Sequence, residues 1–374
     1  MSFDLPHAML FDLAPAMSFD LPLFYFTYFI LVFVLSVLLN SLFLRFSRTL
    51  GIRKSENIVR WSEVSKPALG GITFYITFLF SLIVYSLFFQ PTTVLLHSEI
   101  LGLLGCCTVA FLMGLADDAY DTNPLLKFSS QVFCGIILIY CGIYIHVFQN
   151  IYINYLVTML WVVGIMNAIN LLDNMDAITS VVVLGSLVTI ISILLVDKSA
   201  TSVFLTLMLG TASAICAFLL FNWHPSKMFM GDTGTQFLGA FMATISILFL
   251  WNTSPASSDL LTGTKGLLSA ILTFALPIID TTVVFTNRIL KGSSPFVGGK
   301  DHTTHHLYYL GLKETQIALL YAAYSSVSFV AVIAINKYIS TWSVLYCSIF
   351  AGYFLLSLVA FFIITRLKKK NNAV

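Results

Sequence analysis

The segment IYINYLVTMLWVVGIMNAINLLDNMDAITSVVVLGSLVTIISILLV, Ile151 to Val196, holds two apolar runs, 151–169 and 178–196, that meet at Asn167–Asp176 (NAINLLDNMD). At a helical rise of about 1.5 Å per residue, each run is long enough to cross the roughly 30 Å hydrocarbon layer of a bilayer. Asparagine and aspartate crowd the join and are missing from the middle of either run. Polar groups at a membrane end are costly and mark functional positions. The segment reads as two spanning helices with chemistry at their shared end.

The same pattern runs through the chain. Apolar residues make up 58% of it and charged residues 10%, against about 25% charged in a soluble domain. An all-α polytopic membrane protein is expected, with about eleven transmembrane helices at 23–44, 68–90, 99–116, 125–147, 151–169, 178–196, 201–221, 234–251, 265–287, 315–335 and 341–366. Of the 19 Lys and Arg residues, only Lys198, Lys265 and Lys337 fall on one side of this layout; the other 16 fall opposite. Basic loops stay in the cytoplasm, so the N-terminus is expected outside and the C-terminus inside. The formal net charge of +2 gives no reason to expect a nucleic-acid partner. Six cysteines lie inside the expected helices without metal-ligand spacing and read as small buried hydrophobes.

Four polar stretches end apolar runs on the expected cytoplasmic side. The first, Asp117-Asp118-Ala119-Tyr120-Asp121, places adjacent carboxylates at a low-dielectric boundary. They stay ionised only beside a cation or a positive partner, which suits Mg²⁺ with phosphate oxygens; Lys127 is placed to hold a phosphate as a point charge. The second offers Asn167, Asn170, Asp173 and Asp176 at spacings of three, one polar face if the helix continues. In the third, FNWHPSKMFMGDTGTQFLG (Phe221–Gly239), glycines flank Asp232 and let backbone approach an ion or phosphate, while Phe229 is placed to stack on a nucleobase. The fourth, Asp301-His302-Thr303-Thr304-His305-His306, has zinc-like spacing but no cysteine nearby, so hydrogen bonding to phosphates or a sugar suits it better. Asp280, inside an expected span, is either functional or an interhelical pairing group.

These stretches resemble the polyprenyl-phosphate N-acetylhexosamine-1-phosphate transferase family, whose DDxxD, NxxNxxDxxDG, FNxxPxxxFMGDxG and histidine motifs appear here in order as DDAYD, NAINLLDNMDA, FNWHPSKMFMGDTG and DHTTHH. Lys66–Gly71 (KPALGG) matches the family's proline/di-glycine entry to its second helix. The resemblance covers residues 23–367. It implies a multi-pass enzyme of the bacterial inner membrane that moves a sugar-1-phosphate from a UDP-N-acetyl sugar to a polyprenyl phosphate and releases UMP. It also implies Mg²⁺ as cofactor, with Mn²⁺ as a substitute. By motif, Asp232 is implied as principal metal ligand with Asn170 second, and Asp117 and Asp118 as the pair activating the lipid phosphate. Lys127 would hold phosphates, Asp176 and Phe229 the uracil, and Asp173, His302, His305 and His306 the diphosphate and sugar side.

The chain departs from the pattern at two places: Ala177 stands where a glycine usually follows the second aspartate, and His306 where many relatives carry arginine. The threonine-rich entry and triple-histidine run of the phospho-muramoyl-pentapeptide branch are absent, which favours the amino-sugar branch. The phospho-muramoyl-pentapeptide branch and a secondary transporter stay open as alternatives, as does a homodimer. Residues 1–22 repeat MSFDLP and are set apart as an extension, 23–367 as one membrane-embedded domain, and 368–374 as a basic cytoplasmic tail.

Overall fold

The computed structural model describes residues 20–47, 66–89, 97–196, 203–253, 260–294 and 299–367; the repeated N-terminal hexapeptide and the basic tail lie outside them. The described residues form thirteen α-helices: α1 (Leu21–Ser47), α2 (Gly70–Phe88), α3 (Ser98–Tyr120), α4 (Pro124–Tyr140), α5 (Ile151–Leu172), α6 (Ile178–Val196), α7 (Val203–Asn222), α8 (Gly231–Phe249), α9 (Leu260–Thr273), α10 (Ala275–Leu290), α11 (Thr303–Tyr309), α12 (Glu314–Ile333) and α13 (Val344–Ile364). Nine helical segments among them are long and apolar enough to cross a membrane, and α9 with α10 makes a tenth if the bent pair is one span.

The expected continuous helix at 265–287 is broken: α9 and α10 meet at 77°, with Phe274 out of helical geometry at φ −104°, ψ 23°. Pro277 accounts for the break, because it has no N–H for the Thr273 carbonyl and its ring crowds that oxygen. Ser186 Oγ donates to the freed Thr273 carbonyl at 2.9 Å, so the break leaves no buried acceptor orphaned. The second difference is α4, whose 17 residues fall short of the expected 125–147 because the chain turns at Cys141 and Gly142 (φ 85°).

The bundle is built around α8, buried continuously from Thr233 to Ile247 and packed on α3 and α5. Close approach of its first turn needs neighbours without side chains. A Cβ added to Gly71 would lie 2.1 Å from Gly234 N, and one on Gly114 would lie 2.3 Å from Asp232 O. Small residues serve helix contacts in membranes for this reason. At the periphery, α13 buries only Phe361, and α1 and α13 turn leucines such as Leu38 and Leu356 outward.

Two local structures set up the site. Ahead of α8, residues 229–230 pair with the entry to α2: Phe229 N–H donates to Pro67 O at 3.0 Å, Gly70 N–H to Phe229 O at 3.1 Å and Gly71 N–H to Met230 O at 3.0 Å. After α5 the helix stops at Leu172, with Asp173 as its C-cap. The four polar residues of 167–176 are therefore not one helical face. Asn167 and Asn170 stay on α5, while Asp176 lies in the turn that follows.

Ala177 closes that turn at φ 65° and donates its N–H to Asn222 Oδ1 at 3.0 Å. A left-handed backbone costs an L-residue about 1–2 kcal/mol, which explains why glycine suits this position. We expect Ala177→Gly to stabilise the protein by about 1 kcal/mol and Gly71→Ala to destabilise it by about 1–3 kcal/mol through backbone overpacking. Thermal unfolding in detergent measures both.

Candidate active site

Four helix ends converge. The C-terminal end of α3 carries Asp117 and Asp118, the start of α4 Lys127, the end of α5 Asn170 and the first turn of α8 Asp232. Lys127 Nζ donates to Asp117 Oδ2 at 2.9 Å and to Asp232 Oδ1 at 2.5 Å. Asn170 Nδ2 donates to the same Asp232 oxygen at 2.5 Å and to Thr235 Oγ1 at 2.7 Å. The ammonium thus sits between two carboxylates, where a positive partner was expected from their crowding.

The adjacent aspartates diverge. Asp117 Oδ1 accepts from Thr122 N–H at 2.9 Å and Thr122 Oγ1 at 2.6 Å, leaving Oδ2 to Lys127. Asp118 turns to α8 instead: Oδ1 accepts from Asp232 N–H at 2.9 Å, and Oδ2 from Thr233 N–H at 2.9 Å and Thr233 Oγ1 at 2.6 Å. The side chain at the N-cap position of α8, Met230, makes no cap bond, so Asp118 caps the helix from a neighbouring one and its charge meets the positive helix end. Gly231 is needed between them. It has φ 71°, and an added Cβ would lie 2.4 Å from Asp118 Oδ2.

One turn deeper lies a layer in which Asn167, expected on the polar face, is joined by two residues that the sequence reading missed, Gln131 and Gln236. Gln131, Asn167 and Gln236 stand four residues after Lys127, three before Asn170 and four after Asp232. Asn167 Nδ2 donates to Gln131 Oε1 at 2.6 Å, and Gln131 Nε2 to Gln236 Oε1 at 3.1 Å. Gln131 and Gln236 are fully buried. Polar residues one helical turn from each site residue, inside apolar runs, were the signal that could have revealed them.

Asp173 is half-buried beside this group. Burial, then the negative charge of Asp232, pushes its carboxyl up to about 7. A carboxyl raised in the fold binds its proton there but not in the unfolded chain between about 4 and 7, so its contribution to stability falls as pH rises through that window.

Asp176, placed with Phe229 by motif, lies apart from Asp232 in its bonding. It accepts from Ser226 N–H at 3.0 Å and Ser226 Oγ at 2.7 Å, and meets His224 Nδ1 at 3.1 Å. Lys66 Nζ is 3.7 Å from Asp176 and 5.1 Å from the centre of the Phe229 ring, so one lysine joins the two residues. His224 Nδ1 also meets Glu314 Oε2 at 2.8 Å. Among the described residues, Asp176, His224 and Glu314 form a group whose ligand atoms lie within 4.8 Å of one another. Ser226, His224 and Lys66 already satisfy Asp176 there. Asp232 offers instead a carboxylate oxygen, and Asn170, whose NH₂ now faces it, would add an amide oxygen once its side-chain amide is turned over; both are the hard donors that Mg²⁺ takes.

The histidine stretch forms α11. His302 and His305 are buried, and His306 is half-buried. His302 Nδ1 lies 2.8 Å from Asp280 Oδ2, and Thr304 Oγ1 donates to Asn174 Oδ1 at 2.5 Å, tying α11 to the turn after α5. Burial, then the neighbouring His302, lowers His305 to about 4, so its imidazole is neutral. Arg288 does not pair with Asp280; it grips Asp301 at 2.8 and 2.6 Å. Burial alone would raise Asp301, but the guanidinium holds it below the usual carboxylate range.

An apolar cavity of about 400 Å³ opens between α5, α9 and α10, lined by Leu160, Trp161, Ala168, Leu267 and Ile278. It lies beside the break at Phe274, and Ala168 is two residues from Asn170.

These features define a helical membrane protein with a lysine-bridged acidic site at one end of its bundle. Residues 100–250 match the family described as glycosyl transferase family 4. The chain is 30% identical over 221 residues to a probable undecaprenyl-phosphate N-acetylglucosaminyl 1-phosphate transferase of Bacillus subtilis, covering 57% of this chain and 59% of that protein. It is 31% identical over 230 residues to a phospho-N-acetylmuramoyl-pentapeptide-transferase of Dictyoglomus thermophilum, covering 58% and 71%. A decaprenyl-phosphate N-acetylglucosaminephosphotransferase of Mycobacterium leprae is 26% identical over 282 residues, covering 68% and 69%. The chain belongs to glycosyl transferase family 4.

Two outcomes follow from the geometry. Asp118→Ala should lower stability by about 1–2 kcal/mol, as loss of a helix cap does, and by more than Asp232→Ala, whose side chain is a third exposed. Asp173→Asn should flatten the fall in stability between about pH 4 and pH 7, measured as melting temperature against pH.

Proposed function

We propose that the protein transfers an N-acetylhexosamine-1-phosphate from a UDP-sugar to a polyprenyl phosphate, undecaprenyl phosphate in most bacteria, with release of UMP, at the cytoplasmic face of the inner membrane. The observation that carries this reading is the Asp117–Lys127–Asp232–Asn170 constellation in a chain of this family.

An oxygen of the lipid phosphate attacks the β-phosphorus of the donor, a new P–O bond forms, and the bond from that phosphorus to the bridging oxygen breaks, leaving UMP. Asp117 is the member of the pair assigned to the lipid phosphate proton, because both oxygens of Asp118 are committed to α8 whereas Asp117 Oδ2 is held by the Lys127 ammonium, which the substrate phosphates can draw away. Lys127 supplies a fixed positive charge between the two phosphate groups and can leave its carboxylates for phosphate oxygens. Asp232 and Asn170 would hold Mg²⁺, which when bound neutralises diphosphate charge and stabilises the leaving UMP. Phe229, Lys66 and Asp176 are assigned to the uracil, and Asp173 and the α11 histidines to the diphosphate and sugar. The apolar cavity between α5, α9 and α10 suits the first isoprene units of the lipid. Loop 291–313, joined to α10 by Arg288 and Asp301, is assigned to sugar selection.

The proposed topology keeps eleven crossings. Helix α4 starts at the site with Lys127 and ends where Cys141 lies against Gly102 near the far end of α3, so it crosses with its neighbours despite its length. Counting α9 and α10 as one crossing puts the N-terminus outside and the basic loops inside. A transporter would place its acids near the bilayer centre; among the described residues all the acids but Asp280 gather at helix ends or in the turns beside them.

Purified protein given undecaprenyl phosphate, Mg²⁺ and separate UDP-N-acetyl sugars should release UMP with one N-acetylhexosamine donor and stop with EDTA. Asp232→Ala and Asp117→Ala should each reduce turnover by at least about 100-fold, as loss of a transition-state contact does. Release only with the UDP-muramoyl-pentapeptide donor would replace this reading with that branch, and no release from folded protein would overturn it.

A further inference from the structure

Asp280 repeats on α10 what Asp118 does on α3. Its Oδ1 accepts from Thr303 N–H at 2.8 Å and Thr303 Oγ1 at 2.6 Å, while Oδ2 meets His302 Nδ1 at 2.8 Å. In Asp118 the matching bonds go to Thr233 N–H, Thr233 Oγ1 and the N–H of Asp232. Each carboxylate therefore grips a threonine at a helix start and the residue just before it, and that residue belongs to the candidate site. Thr303 Oγ1 also lies 2.6 Å from the hydroxyl of Tyr321 on α12, which closes the network.

A carboxylate that already receives two hydrogen bonds is an acceptor, so the proton between Asp280 and His302 sits on Nδ1. Which imidazole nitrogen is protonated follows from the bond the other one makes. Nε2 of His302 makes no hydrogen bond among the described residues. Asp280 is 1% exposed and His302 5%, so neither side chain is free to swing. His305 Nδ1 accepts from His302 N–H at 3.3 Å, which fixes the opposite tautomer in its neighbour. The nearby Asp301 charge is matched by Arg288.

We propose that Asp280 is a positioning residue for the transfer reaction: it locks His302 in its Nδ1–H form and orientation, leaving Nε2 to accept a hydroxyl or amide proton from the donor's N-acetyl sugar. The catalytic half rests on the transferase reading; the tautomer half does not.

The test uses full-length protein in detergent with ¹⁵N-labelled histidine, and His302→Gln identifies the His302 signals. The expected spectrum has Nδ1 protonated and Nε2 bare. In Asp280→Asn, the amide oxygen keeps the two Thr303 donors and its NH₂ faces the ring, so the proton should move to Nε2. The kcat/KM for the UDP-sugar should then fall about 10–100-fold, as loss of an orienting partner does, with a rise in KM because Nε2 no longer accepts the sugar's proton. Tyr321→Phe, which removes the hydroxyl that meets Thr303 without touching Asp280 or the ring, should lower the melting temperature while keeping the tautomer and the turnover per folded molecule. A wild-type ring protonated on Nε2 or on both nitrogens overturns the proposal. So does an Asp280→Asn variant that loses only stability. A wild-type chain that releases no UMP overturns the transfer reading and the catalytic role with it, while the spectrum still decides whether Asp280 sets the tautomer.

Discussion

Lys127, shared by Asp117 and Asp232, is the contact on which the site depends. Three helix ends bring carboxylates together at the edge of an apolar bundle, where charges are weakly screened and like charges drive one another apart. One ammonium from a fourth helix reverses the sign of that interaction and sets the spacing between α3 and α8. The same contact stores positive charge where an anionic substrate would arrive. In the proposed function, phosphate oxygens would take over the lysine and a cation the carboxylates, so the resting ion pairs and the binding of charged ligands would draw on one set of groups.

Helix starts impose a second constraint. The first amide donors of a helix have no partner within it, and each needs an acceptor from elsewhere. Neither α8 nor α11 supplies a capping oxygen from a Ser, Thr, Asn or Asp at its own N-cap, since Met230 and His302 occupy those positions. Asp118 and Asp280 serve from neighbouring helices. The consequence is mechanical, because the backbone that presents Asp232 or His302 moves only if a whole neighbouring helix moves. Beneath them, the bonded amides of Gln131, Asn167 and Gln236 extend this coupling one turn into the bundle without adding charge. Pro277 contributes differently: by turning the chain 77° between α9 and α10 it opens apolar space a short way from polar residues, which a substrate with a charged head and a long hydrocarbon tail requires.

Much of this was written in local sequence. Apolar runs of spanning length located the helices, since the hydrocarbon layer demands about twenty apolar residues wherever they occur. Polar clusters at the ends of runs marked candidate site residues, and of these Asp117, Lys127, Asn170 and Asp232 do meet. Pro277 was legible too, as a proline inside an apolar run, although the run was read as one helix. Partnership was not legible. Nothing in the chain order says that Asp118 caps a helix beginning 113 positions later at Gly231, that Lys66 stands over Phe229, or that Asp280 answers His302 and not Arg288. Nor does spacing alone say that α5 ends at Leu172, which separates Asp176 from the face it was expected to share. Hydropathy and helical period are properties of a segment and its solvent, so the sequence by itself determined which segments enter the membrane and which polar residues wait at their ends. Hydrogen bonds and ion pairs between segments depend on helix order, rotation and depth, and only the tertiary structure decided those.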